Sequence, residues 1–205
     1  MTRDEIISAV KSKIDELTPF DGGLALITSS GNTNLNPVEV YIEQFLDESA
    51  KETLLEAPAI TLPTTAFPNV TYSLSESKAM LKVEDDYLRV GMIKFSSWER
   101  PVFNATYPGD PIYNRQFNKW TRGGKAKPRA VYVNEGGVGY LVCYGVESET
   151  GNEANYVATA VAEDLPNALL EAMQWHNASL VLQVFGKEKI SQMAYGRYTK
   201  ALSLL

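Results

Sequence analysis

The apolar residues of this chain repeat every three to four positions near both ends and every two positions in the middle. That double change of period constrains the fold more than any other feature. Near the start, Ile6, Val10, Ile14 and Leu17 mark one face of a helix over Arg3–Leu17, with Thr2 as N-cap, Glu5 completing a capping box and Pro19 as the stop. Asp21 to Asn36 reads as a loop with a short extended piece at Leu24–Thr28. Asn36-Pro37-Val38-Glu39 then opens a second helix that carries Val38, Ile42, Phe45 and Leu46 and runs to about Glu56.

From Val70 to about Ala162 the period is two. Met80–Val83 and Tyr87–Val90 flank Glu84-Asp85-Asp86 as a hairpin would, Met92–Trp98 follows Gly91 as a further strand, and Ala130–Asn134 and Gly139–Val146 flank Gly136-Gly137. Between them, Glu99 to Arg129 holds four of the ten prolines and reads as a long excursion. Asp164 is the expected cap of a last pair of helices, with Pro166 in the first turn. Leu165, Leu169, Met173, Leu180 and Val184 share a face, Gly186 is the stop, and Ile190, Ala194, Tyr198 and Ala201 continue the pattern. The expectation is an α+β fold in which the N- and C-terminal helices, 1–62 together with 163–205, form a helical bundle. A β-rich insertion, 63–162, carries an extended arm, 99–129, and the whole makes one structural domain.

One Cys and one His in 205 residues exclude an intramolecular disulfide and a four-ligand zinc site. His176 shares the spacing of Leu169, Met173 and Leu180, and a packed helix face is the favoured reading over a general base, since no orienting acid or nucleophile is marked. Cys143, inside Tyr140–Tyr144, reads as a buried, inert thiol. Glu84-Asp85-Asp86 lacks the spacing of a Ca²⁺ loop and reads as a solvated turn. Gly123-Gly124-Lys125 fails the phosphate-loop pattern, because Lys119 stands where a glycine is needed and Ala126 where Ser or Thr is needed. No cofactor is implied, and nothing assembles into an active site. Met1-Thr-Arg-Asp-Glu-Ile-Ile contains no signal-peptide core and no run of about 18 apolar residues occurs, so a cytoplasmic, membrane-free chain is expected. The sequons at Asn69, Asn104 and Asn177 then carry no consequence.

Charge placement is the most informative signal. Arg115, Lys119, Arg122, Lys125, Lys127 and Arg129 fall within fifteen residues that contain no acid, so the other 190 residues sum to −12 against a net −6. Phe117 and Trp120 interleave with these cations. Three readings compete: a solvated loop, a docking arm for an acidic protein surface such as a second copy of the chain, and direct nucleic-acid contact through stacking and phosphate pairing. The acidic remainder weighs against free DNA binding.

Several loose motifs add a resemblance: Val10-Lys-Ser-Lys-Ile-Asp-Glu-Leu17, Tyr41-Ile-Glu-Gln-Phe-Leu46 running into Leu55-Glu-Ala-Pro58, Trp98-Glu-Arg-Pro-Val102, the stretch Asn118–Pro128, and a terminal helical pair built around Ala178 and Ala201. Together they resemble the head-to-tail connector proteins, the adaptor or ring subunits beneath the portal of short-tailed bacteriophages, most of all the crAss-like type. The resemblance implies a non-enzymatic virion subunit made in the host cytoplasm and built into a dodecameric homo-oligomeric ring. That ring would contact the portal protein and other tail or ring subunits, with genomic DNA passing through its channel without specific binding. It also implies that the C-terminal segment docks on the portal, which suits the apolar end Lys200-Ala-Leu-Ser-Leu-Leu205. Leu202, Leu204 and Leu205 either serve that contact or pack on their own helices. The alternatives are another tail or capsid-associated subunit, a nucleic-acid-binding accessory protein using residues 115–129, and, least supported, a small hydrolase using His176.

Overall fold

The chain is α+β: its described residues form two helices near each end and two β-sheets in the middle. It is described by a computed structural model covering residues 1–18 and 37–205. The stop at Pro19, the loop over Asp21–Asn36 with its extended piece at Leu24–Thr28, and the Asn36 cap lie outside the described residues. Two compact units result: Met1–Thr61 with Ala160–Leu205, and Leu62–Thr159.

The first unit holds α1 (Arg3–Leu17), α2 (Pro37–Glu56), α3 (Asn167–Val184) and α4 (Glu188–Ser203). The capping box of α1 is complete: the Glu5 amide donates to Thr2 Oγ1 at 3.3 Å, and the Glu5 carboxylate accepts from the Thr2 amide at 2.8 Å. Ile6, Val10 and Ile14 are buried, as are Val38, Ile42, Leu46, Ala50 and Leu54 at steps of four on α2. The Arg3 guanidinium joins α1 to α2 and to the segment before α3, within 3.2 Å of Glu163, 3.5 Å of Asp47 and 3.6 Å of Glu43.

Helix α3 is the centre of this unit. It packs on α1, α2 and α4 and buries Leu169, Leu170, Met173, Trp175, Ala178, Val181 and Leu182 around its circumference, along with the polar Gln174, His176, Asn177 and Ser179. Asn177 Nδ2 donates to the Ile42 carbonyl at 3.0 Å, and Ser191 Oγ to the Ser179 carbonyl at 2.8 Å. The expected apolar face is too narrow, because a helix covered on three sides has no polar side to read. Val184 is in fact exposed and Leu180 half-buried.

Asp164 does not cap this helix. It closes a short 3-10 turn over Ala162–Asp164, and Leu165 is held extended by the following Pro166, which occupies the N-cap position. The far end is a Schellman motif: Gly186, at φ +69°, donates to Gln183 O at 3.0 Å and Lys187 to Leu182 O at 2.9 Å.

The second unit contains β1 (Thr65–Ala66), β2 (Val70–Ser73), β3 (Lys78–Lys82), β4 (Tyr87–Lys94), β5 (Ala105–Thr106), β6 (Ala130–Glu135), β7 (Val138–Tyr144) and β8 (Glu153–Ala158). They form a five-stranded sheet, β2-β3-β7-β6-β5, and a three-stranded sheet, β1-β8-β4. One apolar cluster draws on both: Ala79, Leu81, Ala130, Leu141 and Cys143 from the larger, Val90, Ile93 and Tyr156 from the smaller. The Gly136-Gly137 hairpin forms as the sequence predicts, with β6 and β7 antiparallel and positive φ at both glycines.

The hairpin expected around Glu84-Asp85-Asp86 does not form. β3 already has β2 on one side and β7 on the other, so β4 leaves for the second sheet and pairs with β8. Asp86 makes the crossing: its carboxylate accepts from Tyr156 Oη at 2.9 Å and its carbonyl from the Thr159 amide at 2.7 Å. The strand expected after Gly91 is also the continuation of β4, which passes through Gly91 with two register shifts. A Cβ at Gly91 would stand 2.6 Å from Thr64 Cγ2. No helix among the described residues is long and apolar enough to cross a membrane.

The burial of His176 has a measurable consequence. Desolvation holds its imidazole below the ordinary 6.5, against a smaller opposing pull from Glu52, Glu56 and Glu48. The unfolded chain therefore takes up a proton that the folded chain refuses, and stability is lost as pH falls through 6.5 toward the folded value. Thermal unfolding between pH 7.5 and 5.5 should show His176→Gln losing stability less steeply than the wild type, by at most about 1.4 kcal/mol per pH unit. Parallel curves would contradict this.

Candidate interaction surface

The basic window is part of the Glu99–Arg129 excursion, which returns to the five-stranded sheet at defined points. It is closed on itself where the Glu99 amide donates to Lys125 O at 3.0 Å, and β5 ties it to the sheet by a short parallel pairing to β6. A 3-10 turn over Asn114–Phe117 carries Gln116, which is 3 % exposed. Its Nε2 donates to Ile112 O at 3.1 Å and its Oε1 accepts from the Gly123 amide at 2.8 Å, closing the loop from inside.

The closure sorts the six cations. The Arg122 guanidinium lies 4.1 Å from the centre of the Tyr144 ring at the end of β7, a cation–π contact worth about 0.5–1 kcal/mol. Lys125 pairs with Glu147, which lies outside the basic window, and both groups are near half exposed, so the pair itself adds little. Arg129 is half-buried. Arg115, Lys119 and Lys127 are exposed, with no ion pair among the described residues.

A second turn projects the aromatics. Asn118 Oδ1 accepts from the Trp120 amide at 2.9 Å, and the Asn118 carbonyl accepts from the amides of Thr121 and Arg122 at 3.1 and 2.9 Å. These bonds hold the backbone while leaving the Trp120 side chain 88 % exposed, 6.0 Å from Lys119 Nζ to ring centre. Phe117 is 54 % exposed and meets Tyr113 edge-on at 5.1 Å. Arg115, Phe117, Lys119 and Trp120 thus fall within six residues of a pinned loop, all exposed.

The tail leucines separate. Leu202 is buried in the helical unit, Leu205 is half-buried, and Leu204 is 78 % exposed. Cys143 is buried between β3 and β6, and desolvation raises its thiol far above the range in which a thiolate forms. The Glu84–Asp86 turn is hydrogen-bonded to Asn69 and Tyr156, and no group of three or more His, Cys, Asp or Glu side chains among the described residues could hold a metal ion. Gln116, Tyr144 and Glu147, which fix the loop, carry no sequence signal: each acts through a contact with a residue that local pattern does not connect to it. No protein-family model matches the chain, and no curated protein matches it significantly.

Gly145 is the joint between loop and sheet. It has φ +79°, and a Cβ there would meet Lys125 N at 2.8 Å and Gly124 C at 3.0 Å. Gly145→Ala should cost about 1–3 kcal/mol and release the Arg122–Tyr144 contact. Urea denaturation and faster amide exchange at Gly123–Lys125 would register both effects; unchanged exchange would argue against this joint.

Proposed function

We propose that the chain is a non-enzymatic structural subunit of a virion, one copy of a dodecameric connector ring at the head-to-tail junction beneath the portal. In this reading the N- and C-terminal helices are a bundle that forms the body of each subunit around the DNA path, and the 99–129 segment is the arm that clasps the neighbouring copy. The observation that carries it is the exposure of Phe117 and Trp120 in one short stretch with the exposed cations Arg115 and Lys119, on a chain whose residues outside the 115–129 window sum to −12.

Two exposed aromatics interleaved with cations on a hydrogen-bonded loop are built for contact. The opposite charge it calls for is abundant on the same chain, so copies complement one another. A head-to-tail contact of that kind closes into a ring when its rotation divides the circle. A net acidic body also leaves DNA free to slide, since phosphates find little positive charge to hold them. The resemblance to phage connector proteins supplies the dodecamer and the portal contact, and Leu204 is an exposed apolar residue available to the latter.

Native mass spectrometry with and without portal should show a discrete ring of 22.7 kDa subunits. Lys119→Glu with Trp120→Ala should weaken its assembly by about tenfold or more while DNA affinity stays at background. A strict monomer that ignores portal overturns the proposal. Tight DNA binding that falls steeply with salt and is lost with Arg122, Lys125 and Lys127 neutralised would favour the nucleic-acid reading.

A further inference from the structure

A turn of three residues, Phe185-Gly186-Lys187, joins α4 to α3, and α4 packs chiefly on α3, with a minor contact to α1. Its seam is narrow: the residues it buries are Ala194, Tyr198 and Leu202, at steps of four. The packing is also incomplete where α4 begins. A groove of about 390 Å³, lined by Gln183, Glu188, Gln192 and Tyr195 among others, lies between the two helices. His176 lines it too, is 8 % exposed, and has no hydrogen-bond partner at Nδ1 among the described residues. A buried polar atom left unpaired penalises the closed arrangement, so α4 parts from α3 more readily than a fully packed helix does.

The turn itself is easily remade. Gly186 stands at φ +69°, and its amide donates to Gln183 O while that of Lys187 donates to Leu182 O. If Gly186 takes right-handed helical values, the same two amides and two carbonyls exchange partners in ordinary helical bonds, and α3 and α4 run on as one helix. The α4 seam then points away from its own α3, and what it leaves must be covered again. Trp175, 5 % exposed, has the Arg197 guanidinium 4.6 Å from its ring centre, and the His176 ring lies 4.8 Å from that of Tyr198. Ser191 Oγ donates to Ser179 O at 2.8 Å, and Arg197 pairs with Glu16 of α1 at 2.5 Å. None of these contacts passes through the turn, so the α4 of a second copy makes the same set.

We infer that α4 is exchanged between copies: the α4 of one chain packs on the α3 of the next, with Gly186 as the hinge. The occupant of the vacated α3 face is fixed by the structure, because the contact between copies is the one already formed within the chain. Exchange between two copies gives a dimer, and exchange passed from copy to copy closes into a ring when its rotation divides the circle. This goes beyond the connector reading, since it concerns how copies join and not what the assembly does, and it uses no residue of the 115–129 window.

The test uses two full-length chains, one carrying Glu16→Cys and one Arg197→Cys, co-expressed with different affinity tags, purified through both tags and treated with a short bismaleimide. The two side chains meet across α1 and α4 and are near half exposed, while Cys143 is buried and stays silent. A chain carrying both cysteines should cross-link, which checks the geometry. The co-purified pair should cross-link between chains. Gly186→Ala disfavours the bend and favours the continuous helix, and native mass spectrometry should show its assembly midpoint about tenfold lower in concentration. Gly-Ser-Gly-Ser inserted after Gly186 lets α4 fold back on its own α3 and should raise the midpoint about tenfold. Circular dichroism checks that both hinge variants stay folded. The inference is overturned if no pair co-purifies, if the pair does not cross-link, or if both hinge variants leave the midpoint unmoved. A discrete ring without interchain cross-links sinks the exchange and leaves the connector reading intact. Interchain cross-links in a chain that stops at dimers do the reverse.

Discussion

The helical unit depends on one constraint: α3 is apolar on more sides than any single partner can cover. A helix that buries Leu169, Leu170, Met173, Trp175, Ala178, Val181 and Leu182 must be enclosed, and α4 alone, though adjacent in sequence, covers only part of it. The rest of the cover comes from α1 and α2, more than a hundred residues upstream. That requirement makes residues 62–159 an insertion between two parts of one core. Hydrophobic burial on this scale, at about 25 cal/mol per Å², outweighs the surface ion pairs that decorate the same helices, including the Arg3 cluster.

Within the inserted unit the governing problem is different, since both sheets must share a core while the chain crosses between them. Asp86 solves the crossing with polar bonds to Tyr156 and Thr159, and Gly91 lets β4 pass Thr64 without a clash. The same device recurs at the basic loop. Gln116 closes it internally, Gly145 allows the backbone of residues 124–125 to approach β7, and Arg122 lies on Tyr144. Small residues and single polar side chains thus set the path of the chain where no regular structure does. The outcome is a loop whose backbone is bonded and whose aromatic and cationic side chains face solvent.

That arrangement gives the charge segregation a structural meaning. Two of the six cations have partners inside the unit, Arg122 on the Tyr144 ring and Lys125 beside Glu147. Arg115 and Lys119 stand exposed in the same six residues as Phe117 and Trp120, Lys127 is exposed further along, and Arg129 is half-buried.

The sequence alone determined what short-range physics determines. The capping box of α1, the extents of α1 and α2 and the Gly136-Gly137 turn all follow from residues within a few positions of one another. So does the stop at Gly186, whose φ of +69° suits glycine. Only the tertiary structure decided which strands pair, because a period of two names a strand and not its neighbour; β3 and β4, read as a hairpin, part company for that reason. The same holds for Asp164, displaced as a cap by the extended residue before Pro166, and for Val184, exposed on a helix whose burial is set by α4 and by the distant α1 and α2. The candidate surface divides along the same line. Its charges and aromatics were countable in the sequence, whereas the exposure of Trp120 and the pairing of Lys125 with Glu147 depend on where the folded sheet lets the loop come to rest.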